Sequence, residues 1–187
     1  HAPADDVDPT VGLRLEAGTA RRILPVALSE LRDRVVELRT ALGSEAAVLY
    51  DLMMRASNAS RPDLVLSALL VDQAEPWVTA TRRLAQTGTS AREAARAMDW
   101  SERTLRRRML KNFGYGYATL VRVERAHRAR SLLQRGLSPA DVSAMTGYAD
   151  QPHLTREFAR MVGVTPAQFS KAAKRSTLLP SGSSTVA

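Results

Sequence analysis

The stretch that decides the fold covers residues 138–169 and reads SPADVSAMTGYADQPHLTREFARMVGVTPAQF. Ser138 and Asp141 begin its first helical pattern, because a hydroxyl and a carboxylate three residues apart satisfy unpaired backbone donors at a helix N-terminus. Leu154 and Phe158 lie in a second helical pattern, where apolar residues spaced by three and four form one buried stripe. The stretch therefore predicts two short helices separated by a turn.

The same pattern occurs earlier, in residues 90–120, which read SAREAARAMDWSERTLRRRMLKNFGYGYATL. Trp100 corresponds to Tyr148 at an offset of 48, whereas Gly114 corresponds to Gly163 at 49, so the second copy has one extra residue in its turn. A helix, a short turn and a second helix form a helix-turn-helix, whose second helix lies in the major groove of duplex DNA. The chain thus predicts two such units.

Residues 117–135 connect the two copies and contain neither Gly nor Pro. They predict one continuous helix of about 19 residues, roughly 28 Å long. The residues expected on or near one face are Leu120, Val123, Ala126 or His127, and Leu132 or Leu133. A rigid connector would hold the two units so that they read major-groove segments about one DNA turn, roughly 34 Å, apart.

The positive charge of the chain is confined to this C-terminal part. The whole sequence of 187 residues has a net charge of +8, yet residues 1–74 hold 8 Arg and 11 acidic residues while residues 75–187 hold 19 Lys+Arg and 8 acidic residues. The two parts therefore carry −3 and +11, which favours a nucleic-acid or anionic-membrane partner for the second. The 24 arginines are equally compatible with a GC-rich coding sequence.

Several classes of site are excluded by composition. The chain has no Cys, so it has no disulfide, no thiolate zinc site and no cysteine nucleophile. Its three His are not at metal-ligand spacing, there is no Gly-rich phosphate loop, and the helix carboxylates lie mostly among arginines as ordinary surface pairs. We expect no enzyme, no metal and no cofactor. No apolar run reaches the roughly 18 residues that span a bilayer, so we expect an intracellular protein without a membrane partner.

The acidic first part predicts a small helical segment with one short strand. Val11–Glu16 alternates like a strand, and residues 29–42, 44–56 and 62–71 show apolar residues at helical spacing. These helices could pair with another chain or pack within their own. The chain begins with His1, so we expect natural sequence upstream of it to be missing.

Over about Trp77 to Lys174, the sequence resembles the DNA-binding domain of the AraC/XylS family of bacterial transcription regulators. The most specific stretches are RVERA at residues 122–126, TGYADQPHLTREF at residues 146–158 and GVTP at residues 163–166. The resemblance implies a mainly α fold of seven helices in two helix-turn-helix subdomains joined by a long helix. It also implies sequence-specific promoter binding, usually to activate transcription, in the bacterial cytoplasm at the nucleoid.

The resemblance divides the chain into three parts. Residues 1–74 correspond to the end of a sensory domain plus a helical linker or dimerisation segment, residues 75–175 to the double helix-turn-helix domain, and residues 176–187 to a disordered tail. The implied partners are double-stranded promoter DNA and RNA polymerase. Two further possibilities stay open: a homodimer, and a small-molecule effector bound through the missing N-terminal sequence.

Carried over by position, the resemblance also assigns site residues. The base-contact candidates are Arg103, Arg106, Arg107, Gln151, His153, Thr155 and Arg156, and the phosphate-contact candidates are Arg108, Lys111, Arg128 and Arg160. Arg can pair with both acceptors of guanine, Gln with adenine, and Thr with thymine or either base. Any of these arginines could instead be a solvated surface charge, and His153 could pack or cap.

Two departures from the family pattern bear on this site. Asp99 stands where the family usually has Gly, and Pro152 lies near the start of the second recognition helix. The alternative function is an interaction module of the same fold that regulates through protein partners. Polar side chains at every assigned base-contact position favour DNA over that alternative.

Overall fold

The computed structural model describes residues 17–24, 26–32, 34–57 and 75–178, and this part of the chain is mainly helical, as predicted. The strand predicted at Val11–Glu16, the helix predicted at residues 62–71 and most of the predicted tail lie outside it. Its helices are α1 (Ala20–Ile23), α2 (Leu38–Leu42), α3 (Glu45–Ser57), α4 (Pro76–Gln86), α5 (Ala91–Ala97), α6 (Glu102–Phe113), α7 (Tyr117–Gln134), α8 (Pro139–Thr146), α9 (Gln151–Val162) and α10 (Pro166–Leu178).

Helices α5 and α6 form the first helix-turn-helix, and α8 and α9 form the second. Each has its own apolar core. The first core contains Val78, Ala85, Ala94, Ala95, Leu105, Met109, Phe113, Tyr117 and Leu120. The second contains Ala129, Leu132, Leu133, Val142, Tyr148, Leu154 and Phe158.

The connecting helix α7 contributes to both cores. It covers Tyr117–Gln134, so the predicted continuous helix is confirmed, and its 18 residues span roughly 27 Å. The predicted single buried face is wrong, because Leu120 and Ala129 are both fully buried but nine residues apart, which places them on opposite sides of a helix. The two subdomains therefore pack against different sides of α7.

Side-chain caps fix where the short helices begin. Ser90 and Glu93 form a reciprocal capping box at α5, and the hydroxyl of Ser138 accepts from the backbone N–H of Asp141 at 3.2 Å in α8. The two hydrogen bonds that Glu93 accepts from Ser90 hold the pKa of its carboxyl below its usual value. The predicted helix starts are confirmed at both positions.

The turns of the two units differ by one residue, as predicted. In the first unit Trp100 directly precedes the N-cap Ser101, whereas in the second Ala149 separates Tyr148 from the N-cap Asp150. Asp99, at φ 54°, adopts the left-handed conformation in which glycine is the usual residue. Asp tolerates this conformation better than most residues, so the departure at Asp99 preserves the turn.

Only part of the helix predicted for residues 29–42 forms. The described residues between 29 and 37 form turns, a bend and irregular backbone, and α2 begins at Leu38. Val35 is fully exposed, so a helix here would bury nothing at this position, and the two β-branched residues Val35 and Val36 lower its propensity further. The helix predicted for residues 44–56 does form, as α3.

Candidate nucleic-acid interface

The first recognition helix, α6, presents three arginines to solvent. Its N-cap is Ser101, whose hydroxyl accepts from the backbone N–H of Thr104 at 3.1 Å. Arg103, Arg106 and Arg107 are exposed and follow one another at spacings of three and one. The structure thus brings these predicted base-contact residues together on the outer side of α6, beginning in its first turn.

The second recognition helix, α9, presents a more mixed chemistry. Asp150 caps it by accepting from the backbone N–H of His153 at 2.6 Å, and Gln151 and Arg156 are exposed. The hydroxyl of Thr155 donates to the carbonyl of Gln151 at 2.9 Å. Because that hydrogen is used within the helix, Thr155 retains its methyl group and an oxygen acceptor for a base.

His153 both packs and caps. Its Nδ1 accepts from the backbone N–H of Ala149 at 3.2 Å, and its ring stands edge-on to Tyr148 at a centroid distance of 5.4 Å. An accepting Nδ1 leaves the ring proton on Nε2, which is the atom that remains to donate to a base. Burial raises the pKa of Tyr148, and the nearby cation of Arg125 partly opposes that effect.

Pro152 lies within the first turn of α9 and does not interrupt it. A proline there removes an N–H that has no partner inside the helix in any case. The expected tolerance of this position is confirmed.

The four phosphate-contact candidates have different surroundings. Lys111 and Arg128 are exposed, and Arg160 lies 3.8 Å from Glu157 with 68% of its side chain accessible. The guanidinium of Arg108 instead lies over the ring of Trp100 at 4.3 Å. Sequence reasoning missed this cation–π contact, because Trp100 lies before the helix that carries Arg108.

A cationic cleft lies between the two subdomains. It has a volume of about 340 Å³, and Arg125 and Arg128 of α7 both line it. Its other lining residues are Ala85, Thr87, Gly88, Val121, Ala144, Met145, Thr146 and Gly147, and none of them is acidic. The guanidinium of Arg125 is held over the ring of Tyr148 at 5.4 Å. Sequence reasoning did not single out Arg125 as a functional residue.

Glu124 is an exception to the expectation that helix carboxylates lie mostly in ordinary surface pairs. It is 6% exposed and accepts from Arg82 Nε at Oε1 and from Gln86 Nε2 at Oε2, each at 3.0 Å. Both donors lie on α4, so the pair fixes α4 against the connecting helix. A separation of 38 and 42 residues hides this pair from any local pattern in the sequence.

Metal binding and membrane insertion are two further properties that the described residues can be examined for directly. Within the described ranges, no cluster of His, Asp or Glu has the arrangement of a metal site. In the same part of the chain, no helix is both long enough and apolar enough to cross a bilayer.

Two helix-turn-helix units on one connecting helix define the class of this domain. Residues 94–172 match the family described as "Helix-turn-helix domain". The match agrees with the resemblance of this part of the chain to helix-turn-helix regulators of the AraC/XylS type.

Known regulators align with the same region. HTH-type transcriptional regulator RipA of Corynebacterium glutamicum is 38% identical over 82 residues, which are 44% of this chain and 25% of that protein. HTH-type transcriptional regulator VirS of Mycobacterium tuberculosis is 36% identical over 96 residues, 51% of this chain and 28% of that protein. Among solved structures, the C-terminal domain of AraT, a response regulator from Geobacillus stearothermophilus, matches with a TM-score of 0.48 and 21% identity, over 54% of this chain and 88% of that one. The chain spans about a quarter of the length of these two curated relatives.

Proposed function

We propose that the protein binds double-stranded promoter DNA sequence-specifically and activates transcription in the bacterial cytoplasm. The observation that carries this proposal is the pair of capped recognition helices, α6 and α9, whose exposed sides present Arg, Gln and Thr. Beyond DNA, the partners we propose are RNA polymerase, a second copy of the chain, and a small-molecule effector.

Chemistry supports different base preferences for the two helices. The arginines of α6 can each donate two hydrogen bonds to guanine O6 and N7 in the major groove. In α9, Gln151 can pair with adenine, while the methyl group of Thr155 can contact the methyl group of thymine. We expect a guanine-rich first segment and a mixed second segment.

The cationic side chains outside the base-contact set suggest where the phosphate backbone of DNA would lie. Lys111 and Arg128 are exposed, and Arg128 makes no ion pair with any residue that the structure describes. The cationic cleft, which contains Arg128, lies between the two units and would meet the DNA backbone between the two major-groove segments. Small residues such as Ala85, Gly88 and Ala144 line it, so a phosphate and its sugar can approach closely.

The proposal is tested by selecting duplexes from a random pool with the wild-type chain and measuring affinity against salt. Sequence-specific binding predicts retained discrimination between selected and scrambled duplexes together with a steep salt slope. Equal affinity for every duplex would leave only a nonspecific basic protein, and would favour the alternative of an interaction module.

Two substitutions test whether the recognition helices contact bases. Arg107→Ala and Arg156→Ala should each relax base preference at separate positions about one DNA turn apart, at a cost of ~1–3 kcal/mol each. Lys111→Ala is the contrasting variant, because loss of a phosphate contact weakens binding to all duplexes alike. A uniform loss with Arg107→Ala or Arg156→Ala would reassign that residue to phosphate.

A further inference from the structure

Residues 17–24 and 26–28, called here the brace, lie against the end of the first recognition helix. Gly18 has φ +87°, and a Cβ placed on it would lie 2.6 Å from Val78 Cγ1 and 3.0 Å from Phe113 Cε1. Phe113 is the last residue of α6, and both neighbours belong to the first core. Only a hydrogen fits between the brace and α6 at this point.

A second contact of the same kind lies one residue further along. Gly114 is the left-handed C-cap of α6, with φ +76°, and a Cβ on it would lie 2.8 Å from the carbonyl carbon and oxygen of Leu28. Leu28 is itself buried, at 9% exposure. Because the obstructing atoms are backbone, they cannot move aside as a flexible side chain would.

The internal repeat provides the comparison. Gly163 is the C-cap of α9, the equivalent position in the second unit, and has a similar φ of +85°. No atom lies within 4 Å of a Cβ placed there. The two recognition helices therefore end in the same conformation, but among the described residues only the first end is covered.

The brace also contacts the helices α2 and α3 that follow it. Ile23 and Leu24 pack on the cluster formed by Leu42, Ala46 and Leu49 of α2 and α3. The helices before the DNA-binding domain are thus connected to α6 through close packing on both sides of the brace.

We propose that the brace positions the first recognition helix, so that base readout in the first major-groove segment depends on the brace. The proposal rests on the proposed function. The C-terminal end of α6 is fixed at Phe113 and Gly114, while its N-terminal side carries the arginines. Since hydrogen bonds to bases need donor–acceptor distances of about 2.7–3.2 Å, a small tilt of α6 breaks them. Among the described residues nothing covers the equivalent end of helix α9, so its readout should not depend on the brace.

The repeat supplies a matched pair of variants, Gly114→Ala and Gly163→Ala. Both introduce a side chain at a left-handed C-cap, so both carry the same backbone strain. On duplexes selected by the wild-type chain, Gly163→Ala should keep base preference in both segments. Gly114→Ala should lose it roughly tenfold at the positions of the first segment only, the size expected for one bidentate base contact.

A second pair of variants keeps the proposal testable if the Gly114→Ala protein does not fold. Gly18→Ala is compared with Gly136→Ala, where φ is +88° and no atom lies within 4 Å of the added Cβ. Gly18→Ala should reduce preference in the first segment and raise amide hydrogen exchange in residues 17–24 and 26–28. The additional change Val78→Ala should restore both in part, because it removes the nearest obstructing methyl group while the ring of Phe113 remains. Gly136→Ala should change neither.

The outcomes separate the two proposals. If the wild-type chain discriminates between duplexes but Gly18→Ala and Gly136→Ala behave alike, the brace is refuted and the proposed function stands. Equal loss in both segments would also refute the brace, because it would show general destabilisation rather than positioning. A wild-type chain without base preference would overturn both.

Discussion

Replacing Glu124 by Ala should destabilise the double helix-turn-helix domain more than any other single charge removal on α7. The Glu124 side chain is 5% exposed, and that of its partner Arg82 is 22% exposed. Its two oxygens accept from Arg82 and Gln86 of α4 at 3.0 Å each. The substitution leaves both donors without this acceptor, at the junction between α4 and α7.

The magnitude follows from burial. Removing one partner of a buried ion pair costs about 3–5 kcal/mol, because a charge is left in a poorly solvated site. Water can partly reach Arg82, so the lower end of about 3 kcal/mol is the expected loss in the free energy of unfolding. For a domain of roughly 100 residues, that loss lowers the melting temperature by about 12–24 °C.

The assay is urea and thermal unfolding followed by circular dichroism. Glu157→Ala is the control, since Glu157 and Arg160 are 3.8 Å apart and the Arg160 side chain is 68% exposed, and its cost should be below about 1 kcal/mol. Glu124→Gln should fall between the two, because the amide oxygen still accepts one hydrogen bond. If Glu124→Ala and Glu157→Ala differ by less than about 1 kcal/mol, the buried pair contributes little and the reasoning is refuted.

Three further outcomes are expected. Ser138→Ala removes the cap of α8 and should lower the free energy of unfolding by about 1 kcal/mol in urea, whereas Ser131→Ala, on the exposed side of α7, should not. Arg108→Ala removes the cation over Trp100 and should shift tryptophan fluorescence and cost ~1 kcal/mol; unchanged fluorescence would contradict the contact. Burial raises the pKa of Tyr115 from 10.0 to about 12, so the folded state holds a proton that the unfolded state releases. Its contribution to stability is therefore present below pH 10 and lost as the pH rises towards 12, and tyrosinate absorbance with a Tyr115→Phe comparison measures it.

The local features of the DNA-binding domain could be predicted from the sequence. The caps at Ser90 and Ser138, the break between paired helices and the extent of α7 all depend on residues a few positions apart. The internal repeat supports these predictions, because each feature of one helix-turn-helix unit can be compared with the equivalent feature of the other unit. Helix caps and the spacing of apolar residues were therefore enough to predict the helices of this domain.

The long-range contacts could not be predicted in this way. Arg82 reaches Glu124 across 42 residues, and nothing near Glu124 distinguishes a buried carboxylate from a solvated one. In the acidic part, the sequence predicted a helix that does not form. The apolar spacing around Val35 is helical, but Val35 is fully exposed and packs against none of the described residues. Periodicity indicates which face a helix would bury, but only the tertiary structure shows whether a partner exists.

The two-sided packing of α7 explains why a polar pair lies at its centre. Leu120 contacts the first core and Ala129 the second, on opposite sides of the helix, so each subdomain packs on its own side. Apolar contacts alone would tolerate sliding of α4 along α7 by part of a turn. The pair between Arg82 and Glu124 has defined hydrogen-bond partners, and any such slide would break it. The Glu124 pair therefore fixes the first subdomain in register on α7, the helix that also carries the second subdomain.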